Sequence, residues 1–314
     1  MKRIVFHILI TLCFVGVNIT NAQRNTETID LKKIAVYDLG EGITTGAGFF
    51  KDDLLYIPSE TGIKIIDILK PEKPKLVKII GTENPIRDVL TASDYIYAVG
   101  RDGLFIYNEK TTELIFGYNL PFAKNIAVRN DTIYIGTTGT KIFIFGLTER
   151  NKIKAIGEYD TKAYLGDLKF FGKYLFAATW NGLLVLETGL KDSLKLVWEY
   201  AIPYFSRIEW DKEKVNVTSF YDGNYTFDIS ELNNPKFIKQ TKGRGMSVAV
   251  VADENKWLFI DSQGARIISQ TDTSETIEGS YGNGEYYFFN GQIRQNYVIL
   301  AGRKEIVTLE IERR

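Results

Sequence analysis

Asp88, Asn125 and Asp167 each stand seven residues ahead of a short β-rich run, in three successive units of the chain. One residue earlier lie Arg87, Lys124 and Gly166, and Arg207 takes that place in the next unit. Two carboxylates at the right separation can act as acid and base on a glycosidic bond. Here Asp88 and Asp167 would be the pair, with Arg207 and Tyr204 steadying developing charge. The same groups can bind without reacting. Trp180, Tyr204 and Tyr221 fall in turn segments that a repeat would bring near them, with Phe122, Tyr164, Phe205 and Tyr281. Flat rings beside planar hydrogen-bonding groups suit a glycan. They suit a protein partner equally, since Tyr, Trp and Arg are the usual interface anchors. A third role is structural. Polar groups at strand starts hold neighbouring strands, and loop aromatics cap the apolar wedge between sheets.

Much other chemistry is excluded. Residues 1–22 read as a secretory signal: Lys2 and Arg3, an apolar run through Val17, then Thr20-Asn21-Ala22 before Gln23. The sole histidine, His7, and the sole cysteine, Cys13, lie inside it. The mature chain would have no disulfide, no imidazole base, no Cys-His dyad and no zinc site of the usual kind. Removing Lys2 and Arg3 leaves 37 basic against 39 acidic residues, too little positive charge for a nucleic-acid footprint. No other apolar run approaches the length of a membrane-spanning helix. No cofactor is expected. Gly243-Arg244-Gly245 and Gly282-Asn283-Gly284 do not follow a strand and open a helix, so neither is a phosphate cradle. No Asp-x-Asp-x-Asp-Gly calcium loop occurs, which leaves calcium between Asp88, Asp167 and carbonyls without a motif.

The elements that must position these residues come from a repeat. β-rich runs begin at Leu54, Tyr95, Thr132, Tyr174, Val215, Lys256 and Tyr297, at intervals of 41, 37, 42, 41, 41 and 41 residues. Their apolar residues alternate at period two, against helical repeats. Four short strands per unit of this length predict a propeller blade, and seven units predict seven blades. Within one unit, Lys124–Arg129 is the innermost strand, followed by Thr132–Thr137, Lys141–Gly146 and Lys152–Gly157. In the last unit Glu285–Phe289, Tyr297–Ala301 and Lys304–Ile311 supply three strands and the chain stops. The spare strand Leu31–Leu39 is predicted to pair with Lys304–Ile311 and close the ring, with Gln23–Asp30 a disordered leader. Asp102-Gly103, Asn181-Gly182 and Asp222-Gly223 suit type I′ turns. The domain reading is therefore signal 1–22, leader 23–30 and propeller 31–314.

The most regular units are Gly62–Ile80 and Gly223–Lys239. In both, the glycine precedes an aspartate (Asp67, Asp228) by five residues, and that aspartate precedes a proline (Pro74, Pro235) by seven. With Ile63, Ile65 and Ile229 they resemble the bacterial LVIVD repeat, whose consensus runs Gly-Leu-x-Ile-x-Asp-Ile-x-x-Pro-x-x-Pro. Gly182–Val197 keeps the spacing with Glu187 for the aspartate. The resemblance implies a secreted or surface β-propeller and carries no catalytic motif. Asp67 and Asp228, being repeated, read as a repeated structural bond. The resulting expectation is an exported, monomeric, non-enzymatic platform. It would hold a protein or glycan on its top face through Arg87, Asp88, Lys124, Asn125, Asp167, Trp180, Tyr204, Arg207 and Tyr221. The alternative is a hydrolase or lyase acting on a sugar or lactone.

Overall fold

The computed structural model describes residues 29–313 apart from 149–151, 190–192, 254–255, 271–274 and 283–287. The strands form seven four-stranded antiparallel sheets. In blades 1 to 6 the order from the channel outward follows the chain. Their inner strands are Phe49–Lys51, Ile86–Ala92, Ala123–Arg129, Leu165–Phe171, Phe205–Asp211 and Ser247–Asp253. Blade 7 is composite. Phe288–Arg294, Tyr297–Gly302 and Glu305–Arg313 are followed on the outside by Ile29–Asp38 from the other end of the chain. Ile29 pairs with Arg313, Leu31 with Ile311 and Asp38 with Glu305. The predicted closure is present, and it starts two residues earlier than expected, since Ile29 and Asp30 already belong to the strand.

The closing strand is anchored to blade 1 by a buried lysine. Lys64 Nζ donates to the carbonyls of Leu39 at 2.6 Å, Glu41 at 2.6 Å and Gly42 at 3.1 Å. Three acceptors fill the three donors of an ammonium, which is how the charge tolerates burial. Burial still pulls its pKa down, against the pull of Asp38 and Glu41. Thr308 adds a hydroxyl bond to Pro71 O at 2.6 Å.

Apolar packing lies between blades, not within them. Alternate residues of each second strand face opposite neighbours. Leu55 and Ile57 pack with Ile299 and Ala301 of blade 7, whereas Tyr56 packs with Ile96 and Ala98 of blade 2. Tyr56, Tyr97, Tyr134 and Phe176 occupy one equivalent position, all essentially fully buried. The fifth member of that series is Asn216.

Two expectations are corrected. The inner strand of blade 7 is Phe288–Arg294, not Glu285–Phe289; Glu285 lies outside the described residues. Asn290-Gly291 has turn composition, yet it sits mid-strand because Asn290 bonds the next blade (below). The Asx-Gly turns are not type I′, since Asp102, Asn181 and Asp222 have no positive φ. Both central residues are positive at Ser93-Asp94 instead, at the other end of its blade. The glycine of the repeat answers to a different need. At Gly62 and Gly223, φ is 121° and 90°, and a Cβ would run into Ile80 O or Thr241 O of the outer strand. Asp67 and Asp228 each accept the N–H two residues on, from Leu69 and Ser230, at 2.8 Å. That is the repeated structural bond.

Candidate functional site

The inner strands of blades 2 to 7 all carry a β-bulge at the same register, just before Asp88, Asn125, Asp167, Arg207, Ala249 and Asn290. A bulge re-aims one side chain and bends its strand. It also settles equivalence. Arg207 pairs across from Thr218 as Asp167 does from Ala178, so Arg207 belongs to the ring of Asp88 and Asp167. Ser206 shares the place of Arg87 and Lys124, where the sequence reading had put Arg207. The difference arose from starting the second strand at Val215; it starts at Lys214.

This ring forms a belt of inter-blade bonds. Asp88 Oδ1 accepts the Val89 N–H at 3.0 Å, and its Oδ2 accepts the Ile126 N–H of blade 3 at 3.0 Å. Asp167 repeats the arrangement with Leu168 at 2.9 Å and Ile208 of blade 5 at 3.0 Å. Asn125 Nδ2 donates to Gly166 O at 2.8 Å, and Asn290 Nδ2 donates to Gly48 O at 2.6 Å. At the bulge, Lys124 Nζ donates to Leu165 O at 2.7 Å. The polar groups at the strand starts are therefore spent largely on the ring itself.

Below the belt the channel opens into a cavity of about 550 Å³. Asp88, Asp167, Arg207 and Asn290 line it, and Phe49, Leu90, Ala127 and Val251 form an apolar wall two residues further along their strands. The same level holds Lys169, Glu209 and Gln292, which the sequence reading missed. Counting two residues past each ring position would have found them. Lys169 Nζ bonds Glu209 Oε2 at 2.7 Å. Burial pulls the Lys169 ammonium down, but Glu209 and Asp167 more than offset it and the pKa is raised. Burial pushes the Asp88 carboxyl up to about 7, with Arg207 opposing the rise and Asp167 adding to it.

Above the belt, loops from neighbouring blades place rings side by side. Tyr164 and Trp180 rise from blade 4, Tyr204 and Tyr221 from blade 5. Their centroids follow at 5.1, 5.7 and 5.2 Å, each pair edge to face. All four are exposed, at 51%, 43%, 39% and 70%. The loop backbones are stitched together beneath them. Trp180 N–H donates to Tyr164 O, Tyr204 N–H to Trp180 O and Phe220 N–H to Tyr204 O, at 2.9, 2.8 and 3.1 Å. Phe122 and Met246, also exposed, hold the equivalent places in blades 3 and 6. Phe122 and Tyr204 have φ of 67° and 65°, a left-handed backbone that costs a bulky residue about 1–3 kcal/mol. Of the other expected face residues, Phe205 is fully buried between blades 4 and 5, and Tyr281 packs between blades 6 and 7.

Among solved structures the chain is similar to the WD40 domain of Neurospora crassa Pan2, with a TM-score of 0.66 and 12% identity over 91% of this chain and 96% of that one. A computationally designed protein, Ika8, aligns with a TM-score of 0.62 and 10% identity over 90% of this chain and 100% of that one. The fold is a seven-bladed β-propeller. At these identities the likeness speaks for architecture alone. No protein-family profile matches the chain, and no curated protein matches it in sequence. Among the described residues no helix is long and apolar enough to cross a membrane.

Proposed function

We propose that this propeller is an exported, monomeric binding protein of the LVIVD-repeat type, using its top face at the channel mouth to hold a protein or glycan. One observation carries the reading: four exposed rings in mutual contact across two blades, beside a polar channel mouth. A contiguous exposed apolar patch rimmed by polar groups marks a surface that a ligand or partner covers. The strained backbone at Tyr204 supports the same reading, since such outliers gather at binding sites. Export rests on the sequence of residues 1–22, outside the described residues.

The hydrolase reading would need Asp88 and Asp167 as acid and base. The raised pKa of Asp88 favours it. Against it, both oxygens of both carboxylates already accept backbone N–H groups, one bond of each pair crossing to the next blade. A proton donor so tied would loosen the ring each time it turned over. The test is a glycan-array and activity screen of residues 23–314, run beside Trp180→Ala and Tyr204→Ala. Ligand retention without turnover, lost in both variants, is the expected result. Turnover abolished by Asp88→Asn, or binding indifferent to both ring substitutions, would overturn the reading.

A further inference from the structure

We propose that the channel mouth beside the aromatic row is an anion subsite, in which Arg207 takes a carboxylate or sulfate, and that the ligand is an acidic glycan. The inference rests on the top-face reading and adds the ligand's class and charge. Arg207 is the cation that stands at a ring position itself, level with Asp88 and Asp167. Its guanidinium approaches Asp167 only to 3.9 Å, beyond hydrogen-bond distance, and has no other hydrogen-bond or ion-pair partner among the described residues. About a quarter of its side chain is exposed, and it lines the cavity. Asp167 has both oxygens on backbone N–H groups, which hold its carboxylate where the guanidinium reaches it only at 3.9 Å. A planar fork with open donors in a partly dry site is suited to a two-oxygen anion.

The surrounding charge agrees. Lys124 and Arg87 stand at the bulges of two other blades, and Arg87 has no hydrogen-bond or ion-pair partner among the described residues. Burial lowers the Lys124 pKa, and Arg207 and Arg87 lower it further, which places the three cations within one another's field. They face two carboxylates, Asp88 and Asp167, so the cluster keeps positive charge.

The occupant is narrowed by the row. Each aromatic side chain presents about 150–250 Å² when free, so four partly covered rings offer a few hundred Å², short of the roughly 800 Å² per partner of a stable protein interface. An added peptide strand would need free backbone groups, and the loops have spent theirs on each other. A glycan needs only ring faces and hydroxyl partners. Tyr204 lies three residues before Arg207, just ahead of the strand Phe205–Asp211, so their backbones are at most about 10 Å apart. An arginine side chain and a sugar substituent close that distance between them.

Titration calorimetry on residues 23–314 tests this with five probes: hexagalacturonate, its methyl ester, a κ-carrageenan hexasaccharide (sulfated, without carboxylates), a neutral cellohexaose and hexaglutamate. An acidic sugar is expected to bind at least about tenfold tighter than the ester and cellohexaose, the value of one charge-assisted bond, and to weaken with salt. Which acid wins separates carboxylate from sulfate. Arg207→Gln, with an unchanged melting temperature, is expected to remove that advantage and leave ester binding within about twofold. Equal binding of acid and ester, lost in Trp180→Ala but kept in Arg207→Gln, overturns the anion subsite alone. Tighter binding of hexaglutamate overturns the glycan class. No binding by any probe overturns both the inference and the glycan arm of the reading beneath it.

Discussion

Blade 5 presents two unlike faces. Toward blade 4 it offers Phe205, Val215, Val217, Tyr225 and Phe227, which pack with Phe176, Val185, Trp198 and Tyr200. Toward blade 6 it offers Asn216, Thr218, Asn224 and Thr226, all buried and bonded in pairs. Blade 6 answers with Val250, Trp257, Phe259 and Ile268, a cluster to which blade 5 adds no apolar residue. The aromatic row spans the first seam, with two rings on each side of it. A spacing of 5–6 Å between rings on different blades persists only if the blades beneath do not slide. A ring closed by its own first strand can carry one polar seam, and the site stands on the apolar one.

The largest expected effect breaks the apolar seam. Phe227 is fully buried, with its ring 4.9 Å from Tyr200 and 5.8 Å from Trp198. Phe227→Ala is expected to lower unfolding free energy by about 3–5 kcal/mol in denaturant titration. A loss below about 1 kcal/mol would mean that the seam does not matter. The polar seam should behave differently. Asn216→Ala leaves the Thr226 hydroxyl without its 2.6 Å acceptor, at a cost of about 1–3 kcal/mol. Asn216→Leu combined with Thr226→Val removes both partners and the unpaired Asn216 Nδ2, and is expected to be neutral or stabilising. A double variant worse than the single one would contradict this account of the seam.

A pH series separates the belt from both seams. The folded pKa of Asp88, about 7, lies above the ordinary 3.8, so the native state holds an extra proton between these values. Stability therefore falls as pH rises from about 4 through 7. Asp88→Asn keeps an amide like those at Asn125 and Asn290 and loses that slope, whatever its absolute stability. Equal slopes in melting temperature for the two proteins would refute the assignment. The smallest effect belongs to the outside. Lys141 and Glu158 pair at 2.6 Å on the outer strands with both side chains about half exposed, and Lys141→Ala is expected to change stability by less than about 1 kcal/mol.

Blade number and ring closure were legible because they depend on period and alternation, which survive substitution. The break at Asn216 was not legible, because starting the second strand at Val215 sets Asn216 level with Leu55 and not with Tyr56. The level of Arg207 was not legible either, because nothing in the composition marks Lys214, and not Val215, as the start of its second strand. That Tyr164, Trp180, Tyr204 and Tyr221 share a face follows from the repeat; their edge-to-face contact does not, since only loop geometry sets it. Lys64 carried no signal at all; a lysine in a strand reads as solvated until three carbonyls are seen around it.

Hydrogen exchange with and without hexagalacturonate tests the central claim most directly. Protection confined to residues 162–164, 180–182, 202–207 and 220–222 is the result this account predicts. Protection at the opposite end of the blades, around 93–94 and 109–113, or none anywhere, would contradict it.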